Sequence, residues 1–209
     1  MTELTIALAK GRLLTPSLDI LASLGYDVRE AMQSRALVIS ANGARFILAK
    51  PMDVPIYVEY GAADVGIVGQ DALRESGVNV YEPLLLGYGA CRLVVAGRPE
   101  FQNAEWKMLA GLRVATKYPR VTRQYFTARG LAAEIIAVYG SVELAPRVGL
   151  ADLIVDVVDT GRTLRENGLV ELAEIFKSQA ALIVNRASHT LKVNAIRELI
   201  EKINVKRET

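Results

Sequence analysis

The sequence predicts an α/β fold, and three observations carry that prediction. Apolar, β-prone runs alternate with helix-like stretches from one end of the chain to the other. No low-complexity segment or fixed-period repeat interrupts them. The 209 residues are 51% hydrophobic and 23% charged, which is ample core material for one or two compact domains.

Taken in order, the first strand is predicted over residues 4–9, LTIALA, and the first helix over 14–24, after the Lys10-Gly11-Arg12 turn. Two short strands follow at 36–40 and 45–49. A helix over 53–60 leads to the apolar strand 65–68 and a helix over 70–76. The second half repeats the alternation, with strands at 91–96, 113–115, 134–138 and 153–157, and helices at 121–129 and 164–167. A last helix is predicted over 190–203. No Pro/Gly/Ser linker stands out, so the crossing points between domains are placed at Gly87-Tyr88-Gly89 and around 178–181.

Composition excludes several functions. The net charge is +2, and the 25 basic and 23 acidic residues are interspersed, so a nucleic-acid footprint is missing. The start, MTELTIALAKGRLL, shows no cleavage-site pattern, and nowhere do about 18 apolar residues run together. A cytoplasmic protein with no membrane partner is expected. The single cysteine, Cys91, permits no internal disulfide or cysteine-based zinc site, and it reads as core within ACRLVVA. The single histidine, His189, reads as an exposed first-turn residue of the last helix and is given no catalytic role.

The densest chemistry lies between Glu143 and Leu164, ELAPRVGLADLIVDVVDTGRTL. Leu153, Ile154, Val155, Val157 and Val158 make a buried strand, and Asp156 and Asp159 fall near its carboxyl end, where open α/β sheets bind ligands. Thr160, Gly161, Arg162 and Thr163 then offer two hydroxyls, a flexible backbone and a guanidinium where a following helix exposes unpaired N–H groups. A phosphate fits such a turn. Carboxylates this close repel unless a cationic or hydroxyl-rich group joins them, as a ribose diol or a magnesium ion would. Asp-Thr-Gly after a strand is equally ordinary turn chemistry, with a capping side chain and a glycine at positive φ.

Over this 22-residue stretch, Glu143, Gly149, Ala151, Ile154, Asp156, Thr160, Gly161, Thr163 and Leu164 resemble the signature of the ATP phosphoribosyltransferase family. The resemblance extends to most of the chain. It implies two α/β domains around a central cleft, similar to type II periplasmic binding proteins, with the chain crossing between domains twice. Domain I would combine residues 1–88 with 181–209, and domain II would be 89–180, carrying the loop for phosphoribosyl pyrophosphate (PRPP). The implied reaction joins N1 of ATP to C1 of PRPP, releasing pyrophosphate, as the first step of histidine biosynthesis.

Further stretches match the family. Ala7-Leu8-Ala9-Lys10-Gly11-Arg12-Leu13 runs from a strand into a helix, with Lys10 and Arg12 bringing charge and Gly11 letting backbone approach a polyphosphate. Between 49 and 71, Lys50 is an expected anion ligand; many family members carry Arg there, and Lys supplies a point charge instead of a planar fork. Asp53 reads as an N-cap, Asp71 as a cap or a cleft residue, and Gly66 and Gly69 as flanking a turn. Lys117 is expected to meet pyrophosphate or triphosphate or to be a surface lysine, and Tyr118 to stack on a base or simply pack. Glu143 opens the family pattern and is otherwise a first-turn carboxylate.

The resemblance assigns catalysis to Asp156, Lys10 and Arg12, and PRPP binding to Glu143, Asp156, Asp159, Thr160, Gly161, Arg162 and Thr163. ATP and pyrophosphate fall to Lys10, Gly11, Arg12, Lys50, Asp71, Lys117 and Tyr118. Mg2+ is the expected cofactor, carried mainly by the substrates. The chain's length matches the family's short form, which pairs with a regulatory subunit resembling histidyl-tRNA synthetase, in an expected hetero-octamer. Two rival functions are a non-catalytic solute-binding module of the same shape and a phosphoribosyltransferase with another acceptor base.

Overall fold

The computed structural model describes residues 3–29, 36–41, 43–103, 105–108 and 110–207. In chain order the elements are β1 (Leu4–Ala9), α1 (Leu14–Ser23), β2 (Val38–Ala41), β3 (Ala44–Ala49), α2 (Val54–Glu59), β4 (Val65–Gly69), α3 (Gln70–Ser76) and β5 (Tyr81–Leu85). There follow β6 (Cys91–Gly97), β7 (Leu112–Thr116), α4 (Pro119–Thr127), β8 (Ala133–Ala137), α5 (Leu144–Arg147), β9 (Leu153–Val158), α6 (Arg162–Glu166) and β10 (Val170–Ser178). The chain closes with β11 (Ala180–Val184), α7 (Arg186–Leu191) and α8 (Val193–Arg207). The α/β class expected from the alternation is the one observed.

The chain divides into two compact units, Met1–Gly89 with Gln179–Thr209, and Ala90–Ser178. The first holds a six-stranded sheet in the order β2-β3-β1-β4-β11-β5. Strand β1 lies parallel to both β3 and β4, and β11 runs antiparallel to β4 and β5. Every residue of β1 is buried, because its period-2 alternation serves two cores. Leu4, Ile6 and Leu8 pack with Leu18 and Leu21 of α1 and with Ile196, Leu199 and Ile203 of α8. Ala7 and Ala9 face Val54 and Val58 of α2 and Ala72 of α3.

The second unit holds a five-stranded sheet in the order β10-β6-β9-β7-β8. Strand β7 is parallel to β8 and β9, whereas β6 is antiparallel to β9 and β10. Val94, Ala96, Ile154 and Val158 pack against Ala145 and Leu164 from the short helices that follow β8 and β9. The chain leaves and re-enters this unit at one place, since Ser178 pairs with Cys91 across β10 and β6. In the first unit Ala180 N donates to Tyr88 O at 2.9 Å, and the Tyr88 hydroxyl meets Ser17 Oγ at 2.7 Å. Burial pushes the Tyr88 phenol up to about 12.

Several local expectations need correction. Strands β5, β10 and β11 were not foreseen. The helix expected over 190–203 is two helices meeting at Lys192, the first capped by Asn185, whose side chain accepts from Ser188 N. His189 accordingly sits in a last turn, exposed, its ring 4.8 Å from that of Tyr81. Gly66 and Gly69 lie within β4 and do not flank a turn. A Cβ on Gly66 would stand 2.8 Å from Val58 Cγ2, so helix α2 is the close neighbour there. Asp53 occupies the N-cap position of α2 without a side-chain capping bond, and Asp71 lies in the first turn of α3, behind the cap residue Gly69.

Candidate active site

In each unit the residues singled out from sequence collect at the carboxyl ends of the parallel strands. In the first unit, β1 ends in Lys10-Gly11-Arg12, β3 ends in Lys50, and β4 runs into Gln70 and Asp71. Register pairs Ala9 with Ala49, and Lys10 N donates to Ala49 O at 2.8 Å, so the two lysines leave the sheet side by side. Lys10, Gly11, Arg12 and Lys50 are exposed, whereas Asp71 is buried. Gly11 turns the chain with φ 93°, and its carbonyl accepts from Leu14 N to open α1.

In the second unit, β7 ends in Lys117 and Tyr118, β8 leads through a loop to Glu143, and β9 ends in the Asp156–Thr160 stretch. The chain passes from β7 through α4 to β8 on one side, then through α5 to β9 on the other. The crevice between the carboxyl ends of β7 and β9 is therefore a topological switch point, the place where open α/β sheets bind ligands.

Two charges occupy that crevice. Lys117 Nζ lies 3.4 Å from Asp156 Oδ2, and Asp156 Oδ1 accepts from Val157 N at 2.8 Å. The Asp156 side chain is only 9% exposed, against 36% for Lys117. Burial pushes the Asp156 carboxyl above its ordinary range. Lys117 and the Val157 N–H pull it back, and the nearby Glu143 carboxylate pushes it up again. Of the two strand-end carboxylates only Asp156 is held this way; Asp159 is exposed.

The turn beyond them is built around a left-handed glycine. Gly161 is the residue before α6 and adopts φ 72°, a conformation that L side chains rarely take, so the stretch needs a glycine there. The carbonyl of Thr160 accepts from Arg165 Nη1 at 3.0 Å, which steadies the turn from behind. Thr160, Arg162 and Thr163 are exposed around it, with Arg162 paired to Glu166 at 2.7 Å on the surface. Tyr118 is 5% exposed and packs in the core, which favours packing over stacking for that ring in this structure.

One residue that the motif reading passed over stands at the centre of this edge. Thr116, the last residue of β7, is fully buried. Its hydroxyl donates to Val155 O at 2.7 Å and accepts from Tyr118 N at 2.9 Å and from Thr122 Oγ1 at 3.3 Å. The available signal was a threonine closing an apolar strand just before a Lys-Tyr-Pro turn.

Comparison with known proteins gives a consistent picture. Residues 50–205 match the family model described as HisG, ATP phosphoribosyltransferase. An ATP phosphoribosyltransferase of Moorella thermoacetica is 49% identical over 208 residues, covering 96% of this chain and 91% of that protein. One from Ruminiclostridium cellulolyticum is 50% identical, covering 97% and 96%. Among solved structures, the ATP phosphoribosyl transferase (HisG:HisZ) complex from Thermotoga maritima superposes with a TM-score of 0.84 at 33% identity, covering 98% of each chain. The periplasmic aliphatic sulphonate binding protein SsuA from Escherichia coli shares the fold at a TM-score of 0.58 and 14% identity, covering 99% of this chain and 73% of that one.

Proposed function

This chain belongs to the ATP phosphoribosyltransferase family, and from that premise we propose how its two sheet edges divide the work of joining ATP to PRPP. The activity is that of a pentosyltransferase in histidine biosynthesis. The bond between C1 of PRPP and the pyrophosphate oxygen breaks, its electron pair leaving with pyrophosphate, and the lone pair of adenine N1 forms the new bond to C1.

PRPP is assigned to the carboxyl edge of the second sheet. Asp156 receives the ribose diol, Glu143 and Asp159 flank it, and the 5-phosphate sits in the turn of Thr160, Gly161, Arg162 and Thr163. The observation that carries this assignment is the buried Asp156 beside Lys117 at the switch point, with the glycine-started turn next to it. A carboxylate held among few waters favours the positive charge that grows on the ribose as pyrophosphate departs. Lys10, Gly11, Arg12, Lys50 and Asp71 on the first sheet's edge, and Lys117 on the second's, are each assigned to phosphates of the triphosphate or of the leaving pyrophosphate, while the buried Tyr118 ring is left to packing. No covalent nucleophile is needed, and adenine N1 needs no strong base, which suits a chain whose one histidine lies outside the assigned residues. Holding two polyanions in line is the main task.

The family's reaction uses a divalent metal, and we assign Mg2+. Among the described residues no three His, Cys, Asp or Glu side chains form a group able to hold a metal ion. The ion is assigned to the substrates' phosphates and enters with them. The Thermotoga maritima structure is a complex of two kinds of chain, and by that likeness this chain is assigned a regulatory partner resembling histidyl-tRNA synthetase, in a hetero-octamer. No helix among the described residues is long and apolar enough to cross a membrane. Cytoplasm is the compartment we assign.

The test mixes the protein with ATP, PRPP and Mg2+, with pyrophosphatase present, and follows the ultraviolet absorbance change as adenine N1 is alkylated. Turnover is expected, alone or with the regulatory subunit added, and Asp156→Asn lowers kcat/KM by about 100-fold or more. Turnover unaffected by Asp156→Asn would sink the assignment of that residue. Orotate or free adenine accepted in place of ATP would sink that of the acceptor.

A further inference from the structure

We propose that Thr116 is a positioning residue that sets the Lys117–Asp156 pair, and through it the ionisation of the carboxylate that receives the ribose; this rests on the assignment of PRPP to that edge. A threonine hydroxyl has one hydrogen to give and two lone pairs to accept with. All three are used: Oγ1 donates to Val155 O and accepts from Tyr118 N and Thr122 Oγ1, at full burial. Those partners come from three places. Val155 directly precedes Asp156 on β9, Tyr118 directly follows Lys117, and Thr122 lies in α4. One oxygen thus ties the backbone before the carboxylate to the backbone after the ammonium, and it fixes how far apart the two charges can stand.

The distance matters because of where it falls. At 3.4 Å the pair is at the outer edge of hydrogen-bond reach, so a small displacement of the β7–α4 turn separates the charges. The groups acting on Asp156 from the surrounding elements are Lys117 from that turn, Glu143 from the loop after β8, and the Val157 N–H from its own strand. Lys117 is the cation among them. Burial and Glu143 both favour the neutral acid, so loss of Lys117's proximity leaves, among the described residues acting on it, the Val157 N–H to hold the charge. A neutral Asp156 loses its charge-assisted grip on a diol.

The experiment is calorimetric titration of PRPP with Mg2+ into the full chain, with its regulatory partner if the chain alone does not bind, across acid to neutral pH. Wild type is expected to lose affinity as pH falls through the Asp156 ionisation. Thr116→Val, which keeps the shape and removes the hydroxyl, is expected to move that acid limb upward by on the order of one pH unit. Lys117→Met moves it by a similar amount, Thr116→Val with Lys117→Met moves it no further, and Thr116→Ser leaves it in place. If the valine chain does not fold, Thr116→Cys, with a thiol of similar size and weak hydrogen bonding, stands in with the same expectation. An affinity loss equal at every pH, or a double-variant shift equal to the sum of the singles, overturns the inference and leaves the PRPP assignment intact. A wild type that binds no PRPP at any pH overturns both.

Discussion

Two buried aspartates show how one residue type is put to opposite uses. Asp64 is satisfied on every side: it accepts from Thr5 N at 2.8 Å, Ser188 Oγ at 2.7 Å and Lys192 Nζ at 2.7 Å. Burial pushes its carboxyl up, but these donors outweigh burial and leave it below the ordinary range. Its charge therefore stabilises the fold at all pH values above the unfolded-state value near 3.9, and that contribution fades as pH falls through the lower folded value. Asp156 has the reverse sign. Its folded carboxyl stays protonated where the unfolded one has ionised, so stability drops as pH climbs from about 3.9 through the raised folded value. Asp64→Ala is expected to cost about 3 kcal/mol at neutral pH, by stranding Lys192 and Ser188. Asp156→Asn is expected to leave the melting temperature unchanged or higher at neutral pH, with the difference closing toward pH 4. Thermal melts of both variants across pH decide this, and a strongly destabilised Asp156→Asn would refute it. From sequence alone Asp156 was visible through its motif, while Asp64 drew no notice, because its three partners lie 59, 124 and 128 positions away.

Elements were legible in proportion to how far their own residues decide them. Strands β1, β4, β6 and β9 are apolar and buried throughout or nearly so, and their runs announce themselves. Strand β5 reads YEPLL, with a proline and four of five residues exposed, because an edge strand needs neither an apolar run nor all its N–H groups. Strand β10 places its charges, Glu171, Glu174 and Lys177, every third residue and carries two register shifts against β6, so no period of two shows. The break between α7 and α8 falls at Lys192, which leaves helical geometry with φ −121° and ψ 32° and whose ammonium reaches back to Asp64 and Glu3 O, contacts with no local signal. The same dependence on neighbours governs β4. Gly66→Val is expected to destabilise by about 1–3 kcal/mol, since the new side chain meets Val54 and Val58 of α2 and Ile183 of β11. Chemical denaturation reads this directly, and an unchanged midpoint would show that α2 shifts without penalty.

For the whole molecule, the chain's path makes one unit continuous and the other split. Unit Ala90–Ser178 begins and ends on paired strands, Cys91 opposite Ser178, with its own sheet and core. Expressed alone, residues 90–178 are expected to unfold cooperatively as an independent domain, measurable by circular dichroism. A non-cooperative melt would count against that independence. The reciprocal piece, residues 1–89, lacks β11, and β4 then has no partner on that side. The alternation was legible along both halves of the chain. That β11 belongs between β4 and β5 was not, because the pairing of residues 180–184 with 65–69 spans more than half the sequence.

The placement of β11 bears on how the chain is made. A ribosome delivers residues in order, and domains generally fold as they emerge, the N-terminal one first. Here the sheet that starts first finishes last: β4 and β5 wait, with backbone groups open, until Ala180–Val184 has left the tunnel. During that wait the middle unit is being assembled, and its last strand, β10, ends at Ser178, a single residue short of β11, which begins at Ala180. The growing chain therefore builds its insert inside an unfinished host, and through that whole interval the flank of β4 stays open to pairing with a stranger.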